Sequence, residues 1–482
     1  MKNVLFRILP CIISLSVILF SCGSNDVTED NNSMTVEIEK ITLDINTLSM
    51  FIGDEQSLHA TCVPENTTDR VIRWASSDNS VASVDNQGLV KAVSSGDAVI
   101  TASSGNGNVK ATCTVNVSAY SDDDAEYRGG KNDGIQLNVN KLRHPQGTME
   151  VLKAQPAPEY SGKKVIWMSS DTGVVKVNEN GLITCGNKGE AYVVAQIENT
   201  DKTDTCYISV VNIDGEVIWY GDPTKEFYSS FYNVSKEGDS EYTAKDGTIK
   251  AINHPDYGKI WEVHKPAYNK RCEFSRTEAR NTDNSYEIKS GDRVYVGWRV
   301  MMDVRSEVKP GPYLQFQLKT GKPQNAPSGV ENGWQNHPVS IDFDSQNSQL
   351  IVSDIYPVDK PDASVSNRIT TFCKAEMKEL EWTDIVMGFN FSDDPETSFV
   401  EVWVNGVRQL LTDRNGNKVF KAHHRTIDFK ADNSGHAHMY FKWGIYNKAC
   451  APYDVYGYFD EMRVGKTLKD VINPLLQSRK KN

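Results

Sequence analysis

The sequence predicts an all-β protein: two small β-sandwiches followed by one large β-jelly roll. Three observations carry this. A short-strand pattern occurs twice, with Trp74-Ala75-Ser76-Ser77-Asp78 returning as Trp167-Met168-Ser169-Ser170-Asp171. From about Gly215 onward the strands lengthen and alternate apolar with polar residues, as a sheet with one buried face requires. Helical periodicity is nearly absent before Leu468.

The repeat stays in register beyond the tryptophan. Val81, Val84, Gly88 and Leu89 return as Val174, Val177, Gly181 and Leu182, and Cys113 returns as Cys206. Val71–Trp74, Ala98–Ala102 and Thr112–Val117 read as strands. Asn86-Gln87-Gly88 and Asn178-Glu179-Asn180-Gly181 are turn signals. Strands this short at this spacing suggest small sandwiches. Ser121 to Asp133 is an acidic linker with Gly129-Gly130. In the last unit, Val294–Val300, Tyr313–Leu318 and Val400–Val404 alternate cleanly, and Asn405-Gly406 marks a hairpin turn. Long strands over residues 215–470 fit one two-sheet jelly roll, with a groove lined by polar and aromatic side chains.

The chain has 482 residues, and roughly 100–200 residues per domain makes three domains a sensible count. The formal net charge of -12 argues against nucleic acid as a partner. Lys2 and Arg7 precede an apolar run, Ile8 to Phe20, that is too short to span a membrane. The nine cysteines show no CxxC spacing, so no zinc site is expected. Export permits disulfides, and Cys62 with Cys113 is one conceivable pair.

Three resemblances follow from particular motifs. Leu19-Phe20-Ser21-Cys22 resembles the lipobox of bacterial lipoproteins. It implies a signal peptide over residues 1–21, acylation of Cys22 and an acidic tether over 22–38. That tether is similar to the surface-export signals of Bacteroidetes lipoproteins, which implies an outer-membrane lipid anchor facing the exterior. The W-x-S-S-D, V-x-x-V and G-L-V/I pattern resembles bacterial Ig-like group 2 domains over residues 39–119 and 134–214, joined by the 120–133 linker. A spacer role is the expectation for the pair, with adhesion as the other reading.

Finally, Arg276-Thr277-Glu278-Ala279-Arg280 resembles the R-S-E-L-R motif of alginate lyases. Tyr440-Phe441-Lys442-Trp443-Gly444-Ile445-Tyr446-Asn447 resembles their Y-F-K-A-G-V-Y-N motif, and Gln315-Phe316-Gln317 falls where their Q-I/V-H motif belongs. Tyr458 to Gly465 resembles the closing strand of these domains. The resemblance implies a concanavalin-like jelly roll over 215–470, a polar tail over 471–482, and a polysaccharide lyase acting on an anionic glycan. Expected catalytic residues are Tyr446, Arg276, Gln315 and Lys442. Expected substrate-binding residues are Arg280, Gln317, Glu278 and Trp443. The family histidine is Gln317 here, so His337 is the candidate replacement, with His436 or His438 as others. A non-catalytic glycan-binding protein with this fold is the main alternative.

The residue types suit β-elimination of a uronate. Residues at i, i+2 and i+4 of a strand share a face, so Arg276, Glu278 and Arg280 can project together, as can Lys442 with Tyr446 and Gln315 with Gln317. An arginine, with Gln315, would neutralise the uronate carboxylate, and Tyr446 would take the C5 proton, give a proton to the leaving O4, or do both in a syn elimination. Two weaker patterns remain. Glu237-Gly238-Asp239-Ser240-Glu241 has the acid spacing of some retaining glycosidases but lacks apolar alternates. His423-His424 is a possible metal pair. No cofactor is required for elimination; calcium, through Asp-rich segments such as Asp393-Asp394, is the one conceivable ion.

Overall fold

The computed structural model describes residues 36–51, 55–94, 96–118, 134–238, 248–275, 277, 283–306, 311–320, 337–356, 368–392, 394–424, 426, 439–447 and 451–479. Cys22 and the linker between the repeats lie outside this set. Among the described residues the chain is built of strands, with one α-helix, Leu468–Ser478, and no helix long and apolar enough to cross a membrane.

The two repeats have the same topology. In the first, a four-stranded sheet is ordered Thr47–Phe51, Lys110–Ser118, Gly96–Ser104, Ile72–Ser76; in the second, Lys141–Pro145, Thr203–Val211, Gly189–Ile197, Val165–Ser169. In both, the outermost pair is parallel and the rest antiparallel. The shared motif has a packing reason. Gly88 and Gly181 adopt φ of +83° and +77°. A Cβ there would lie 2.8 Å from the Trp74 ring and 2.7 Å from the Trp167 ring. Each glycine carbonyl also accepts a bond from the residue just after a preceding strand, Leu58 N at 2.9 Å and Leu152 N at 2.9 Å. Tryptophan and glycine therefore recur together because the turn lies on the indole.

The jelly roll consists of two antiparallel sheets. The nine-stranded sheet runs Thr248–His254, Gly258–Lys265, Val455–Gly465, Arg293–Val304, Thr383–Asn390, Phe399–Val404, Val407–Arg408, with Val217–Tyr220 and Ala422–His423 on side branches. The seven-stranded sheet runs Asn233–Gly238, Asn269–Ser275, Met439–Tyr446, Tyr313–Thr320, His337–Asp344, Gln349–Tyr356, Arg368–Glu376. Alternate residues of facing strands, among them Val296, Trp298, Val402, Phe274, Phe316, Ile341 and Phe441, fill the space between the sheets.

The expected polar tail from residue 471 is instead the last two turns of the C-terminal helix. Leu468, Val471, Ile472 and Leu475 recur at helical spacing and bury against Tyr295, Val386 and Trp403. Those three residues alternate with core residues of their strands, so the helix caps the outer face of the nine-stranded sheet. A Thr467/Asp470 capping box starts it.

Neither is the second repeat a detached spacer. Its strand Met149–Val151 lies against both the helix and the 399–408 hairpin. Val151 N donates to Gly406 O at 2.9 Å, and Met149 N to Asn473 Oδ1 at 2.9 Å. Phe420 enters the repeat's own core and Leu410 packs on it. A chain of charged and hydrogen-bonded side chains is buried along this junction. His144 Nε2 meets Glu150 Oε2 at 2.7 Å, and Glu150 Oε1 meets Arg408 Nε at 3.5 Å. Arg408 Nη1 meets Glu401 Oε1 at 2.8 Å, and Glu401 Oε2 meets Arg293 Nη2 at 2.5 Å. The first four of these side chains are fully buried. Ions removed from water need partners on both sides, and here they are drawn from both domains.

The conceivable Cys62–Cys113 bridge is absent: both are free thiols, as are Cys185, Cys206, Cys272 and Cys373.

Candidate active site

With part of the outer face of the nine-stranded sheet taken by the helix and the second sandwich, the outer face of the seven-stranded sheet is the polar face of the jelly roll, although its central side chains are themselves buried. Core residues fix its orientation. Phe441, Trp443 and Ile445 point between the sheets, so Lys442, Gly444 and Tyr446 point outward. By the same alternation Arg271, Glu273 and Ser275 face outward from one flank, and Ser340 and Asp342 from the other.

Register then aligns two rows across the face. One reads Ser275, Lys442, Gln317, Ser340, Ser353, Thr371; the other reads Arg271, Tyr446, Leu314, Asp342, Ile351, Lys374. Between the rows, Glu273 lies opposite Gly444. The glycine has φ +136°, and a Cβ on it would sit 2.4 Å from Cys272 O and 2.6 Å from Glu273 Cα. Only glycine lets these strands approach so closely.

Glu273 is the hub. Gln317 Nε2 donates to its Oε1 at 2.5 Å, Lys442 Nζ lies 3.2 Å from Oε2, and Arg271 Nη1 lies 3.5 Å from Oε2. Lys442, Gln317 and Glu273 are buried. Lys442 is thus paired with Glu273. The cation beside Tyr446 is Arg271, with its guanidinium carbon 4.7 Å from the ring centroid; Lys270 Nζ lies at 5.9 Å. Tyr446 itself is half-buried.

Two expected site residues face inward. A β-bulge falls between Leu314 and Phe316. The extra residue breaks the period-two alternation, so Gln315 and Gln317 do not share a face. Gln315 Nε2 bonds the sulfur of Met377, a core residue, at 3.3 Å. Trp443 is fully buried and stacks on Trp219 at 5.6 Å between ring centroids; it is core, not a sugar platform.

Arg276, Glu278 and Arg280 lie outside the described residues, as do His436 and His438. His337 opens the strand His337–Asp344, and its side chain is outside the described set. Arg271 and Glu273 were missed in the sequence, although Arg271-Cys272-Glu273-Phe274-Ser275 shows the charged/apolar alternation that exposes them. Asp342 was read only as part of a strand.

Asp342 is the site's electrostatic oddity. Burial alone pushes its carboxyl up to about 6. Asp460 is also raised to about 6, but it lies on the other sheet with Arg299 and Arg463 nearby.

The remaining patterns have structural explanations. His424 is buried, with Nδ1 3.1 Å from Ala422 O and Nε2 3.0 Å from Pro338 O, so its ring nitrogens are occupied. Asp394 caps a turn by accepting from Glu396 N at 3.0 Å. Of the glycosidase-like acid run, Glu237 and Gly238 end the edge strand Asn233–Gly238, and Asp239 to Glu241 lie outside the described set. Among the described residues no three His, Cys, Asp or Glu side chains gather as a metal site.

Residues 234–463 match the family model described as polysaccharide lyase, spanning both sheets and every outward residue just named. The C-terminal unit is a polysaccharide lyase domain. Residues 37–115 match the bacterial Ig-like domain (group 2) model, in keeping with the first sandwich. An uncharacterized protein of Clostridium acetobutylicum is 30% identical over 216 residues, which is 44% of this chain and 21% of that protein. A 3-O-alpha-D-galactosyl-alpha-L-arabinofuranosidase of Bifidobacterium longum is 30% identical over 118 residues, 24% of this chain and 10% of that enzyme. The chain thus spans less than a quarter of the length of these curated relatives. Among solved structures, an endo-beta-1,4-glucuronan lyase of Trichoderma reesei is 15% identical with a TM-score of 0.35, covering 50% of this chain and 98% of its own. An alginate lyase of Pseudomonas aeruginosa is 14% identical with a TM-score of 0.31, covering 49% and 98%.

Proposed function

We propose that the lyase domain cleaves a uronate-bearing polysaccharide by β-elimination at the cell surface. The observation that carries this reading is Tyr446 held on the outward face beneath the Arg271 guanidinium, beside the Glu273–Lys442–Gln317 cluster. Elimination needs a group to move the C5 proton and positive charge to offset the uronate carboxylate, whose own charge keeps that proton barely acidic. Tyr446 supplies the hydroxyl. Arg271 takes the neutralising role that the sequence assigned to Arg276 with Gln315; Arg276 lies outside the described residues and Gln315 bonds the core residue Met377. Glu273 orders the cluster: it fixes Gln317 and Lys442 and holds Arg271 near the ring. The reaction needs no cofactor.

The test is a panel of alginate, glucuronan, heparin-like and pectic chains, with ultraviolet absorbance reporting an unsaturated uronate. Product from at least one of them is expected. Binding in a pull-down with no unsaturated product from any would replace this reading with a non-catalytic glycan-binding one.

Surface placement rests on the lipobox ending at Cys22. Cys22→Ser is expected to leave the protein unacylated and free of the membrane fraction. Retention of the mutant in carbonate-washed membranes would overturn the anchor.

A further inference from the structure

We infer that Asp342 is a second catalytic residue, the acid that protonates the departing O4 while Tyr446 takes the proton from C5. This rests on the eliminative reading above. The geometry is that of one cross-strand row. Leu314 pairs with Tyr446 on one side and with Asp342 on the other. Neighbouring strands lie about 4.7–4.9 Å apart, so the tyrosine and the carboxyl stand about 10 Å apart at Cα, on the same face. The apolar Leu314 lies between them. Leu314, only 8% exposed, is the floor between them, and a sugar unit above it would meet a hydroxyl on one flank and a carboxyl on the other.

The surroundings of Asp342 favour an acid. No hydrogen bond or ion pair reaches its carboxyl among the described residues. Facing it from the flanking strands are Leu314 and Ile351, and from its own strand Ser340 and Asp344. Asp344 is engaged with the backbone N–H groups of Gln346 at 3.1 Å and Asn347 at 3.3 Å and with the Asn347 amide at 2.7 Å. The nearest cation in the row, Lys374, is one strand farther away, beyond Ile351. A half-buried carboxyl without a partner is costly to the fold, and such groups concentrate where function needs them.

The step balances. Deprotonated Tyr446 takes the C5 proton, the C4–O4 bond breaks as the C4–C5 double bond forms, and neutral Asp342 gives its proton to O4. Both groups end in the opposite protonation state, and exchange with water resets them. Burial, which raises the carboxyl to about 6, keeps a protonated fraction available.

Asp342→Asn is the test, read on the polyuronate that the wild type cleaves. The variant is expected to lose about 10²–10⁴-fold in kcat with KM little changed. The wild-type decline in kcat/KM as pH rises through about 6 is expected to disappear. Its stability should move the other way. A carboxyl whose folded pKa exceeds its unfolded value destabilises the fold progressively as pH rises above the unfolded value, the penalty being complete above the folded one. Asp342→Asn should therefore melt higher than wild type at pH 8, the gap closing below about pH 4. Asp342→Glu, which keeps an acid, should retain the pH dependence. Unchanged turnover and pH profile in Asp342→Asn, or a change in KM alone, would overturn the assignment. No product from the wild type on any polyuronate would instead sink the eliminative reading itself.

Discussion

Tyr446→Phe should lose about 10²–10⁴-fold in kcat, the usual contribution of a positioned proton-transfer group. Glycan binding should stay close to wild type. The ring without its hydroxyl keeps its place against the Arg271 guanidinium, 4.7 Å from the centroid, and keeps its packing at the strand end. The loss should thus appear in single-turnover rate and not in a pull-down or a titration. Wild-type turnover by Tyr446→Phe on a confirmed substrate would remove the tyrosine from the mechanism.

Arg408→Ala should destabilise the protein by about 3–5 kcal/mol, the cost of breaking a buried ion pair. The substitution deletes the cation between Glu150 and Glu401, two carboxylates fully buried at the junction of the second sandwich and the lyase domain. It also removes a guanidinium packed 4.4 Å over the Trp403 ring. At about 2–4 °C per kcal/mol for a domain this size, the melting temperature should fall by roughly 10 °C. Because the charges come from both units, the second sandwich and the lyase domain should melt together in calorimetry. Truncating the chain to start after residue 214 should be worse still, since it strips cover from Leu410, Phe420 and Arg408. A truncated lyase domain as stable as the intact chain would show that the junction is only a contact.

The fold was legible because strand periodicity depends only on local alternation. The repeat around Trp74 and Trp167, the long alternating strands and the turn at Asn405-Gly406 all encode their structure within a few residues. The lyase relationship was legible for the same reason, through the 440–447 segment, whose glycine is demanded by a close strand approach. Lys442 and Tyr446 could be placed on one face because they stand at i and i+4 of one strand; that Trp443 is core came only from the structure.

Tertiary structure decided the rest, because pairing between distant strands leaves little local trace. One extra residue in the strand Tyr313–Thr320 turned Gln315 into the core, and a bulge is visible only against its partner strands. Glu273 became the hub because it lies opposite Gly444, which is 171 positions farther along the chain. Asp342 enters the proposed site because it stands two strands along the row from Tyr446, with Leu314 between them. The second repeat read as a spacer because a larger domain follows it. What docks it is the complementary pairing of Glu150 with Arg408, and such long-range charge matching emerges only once both surfaces are folded.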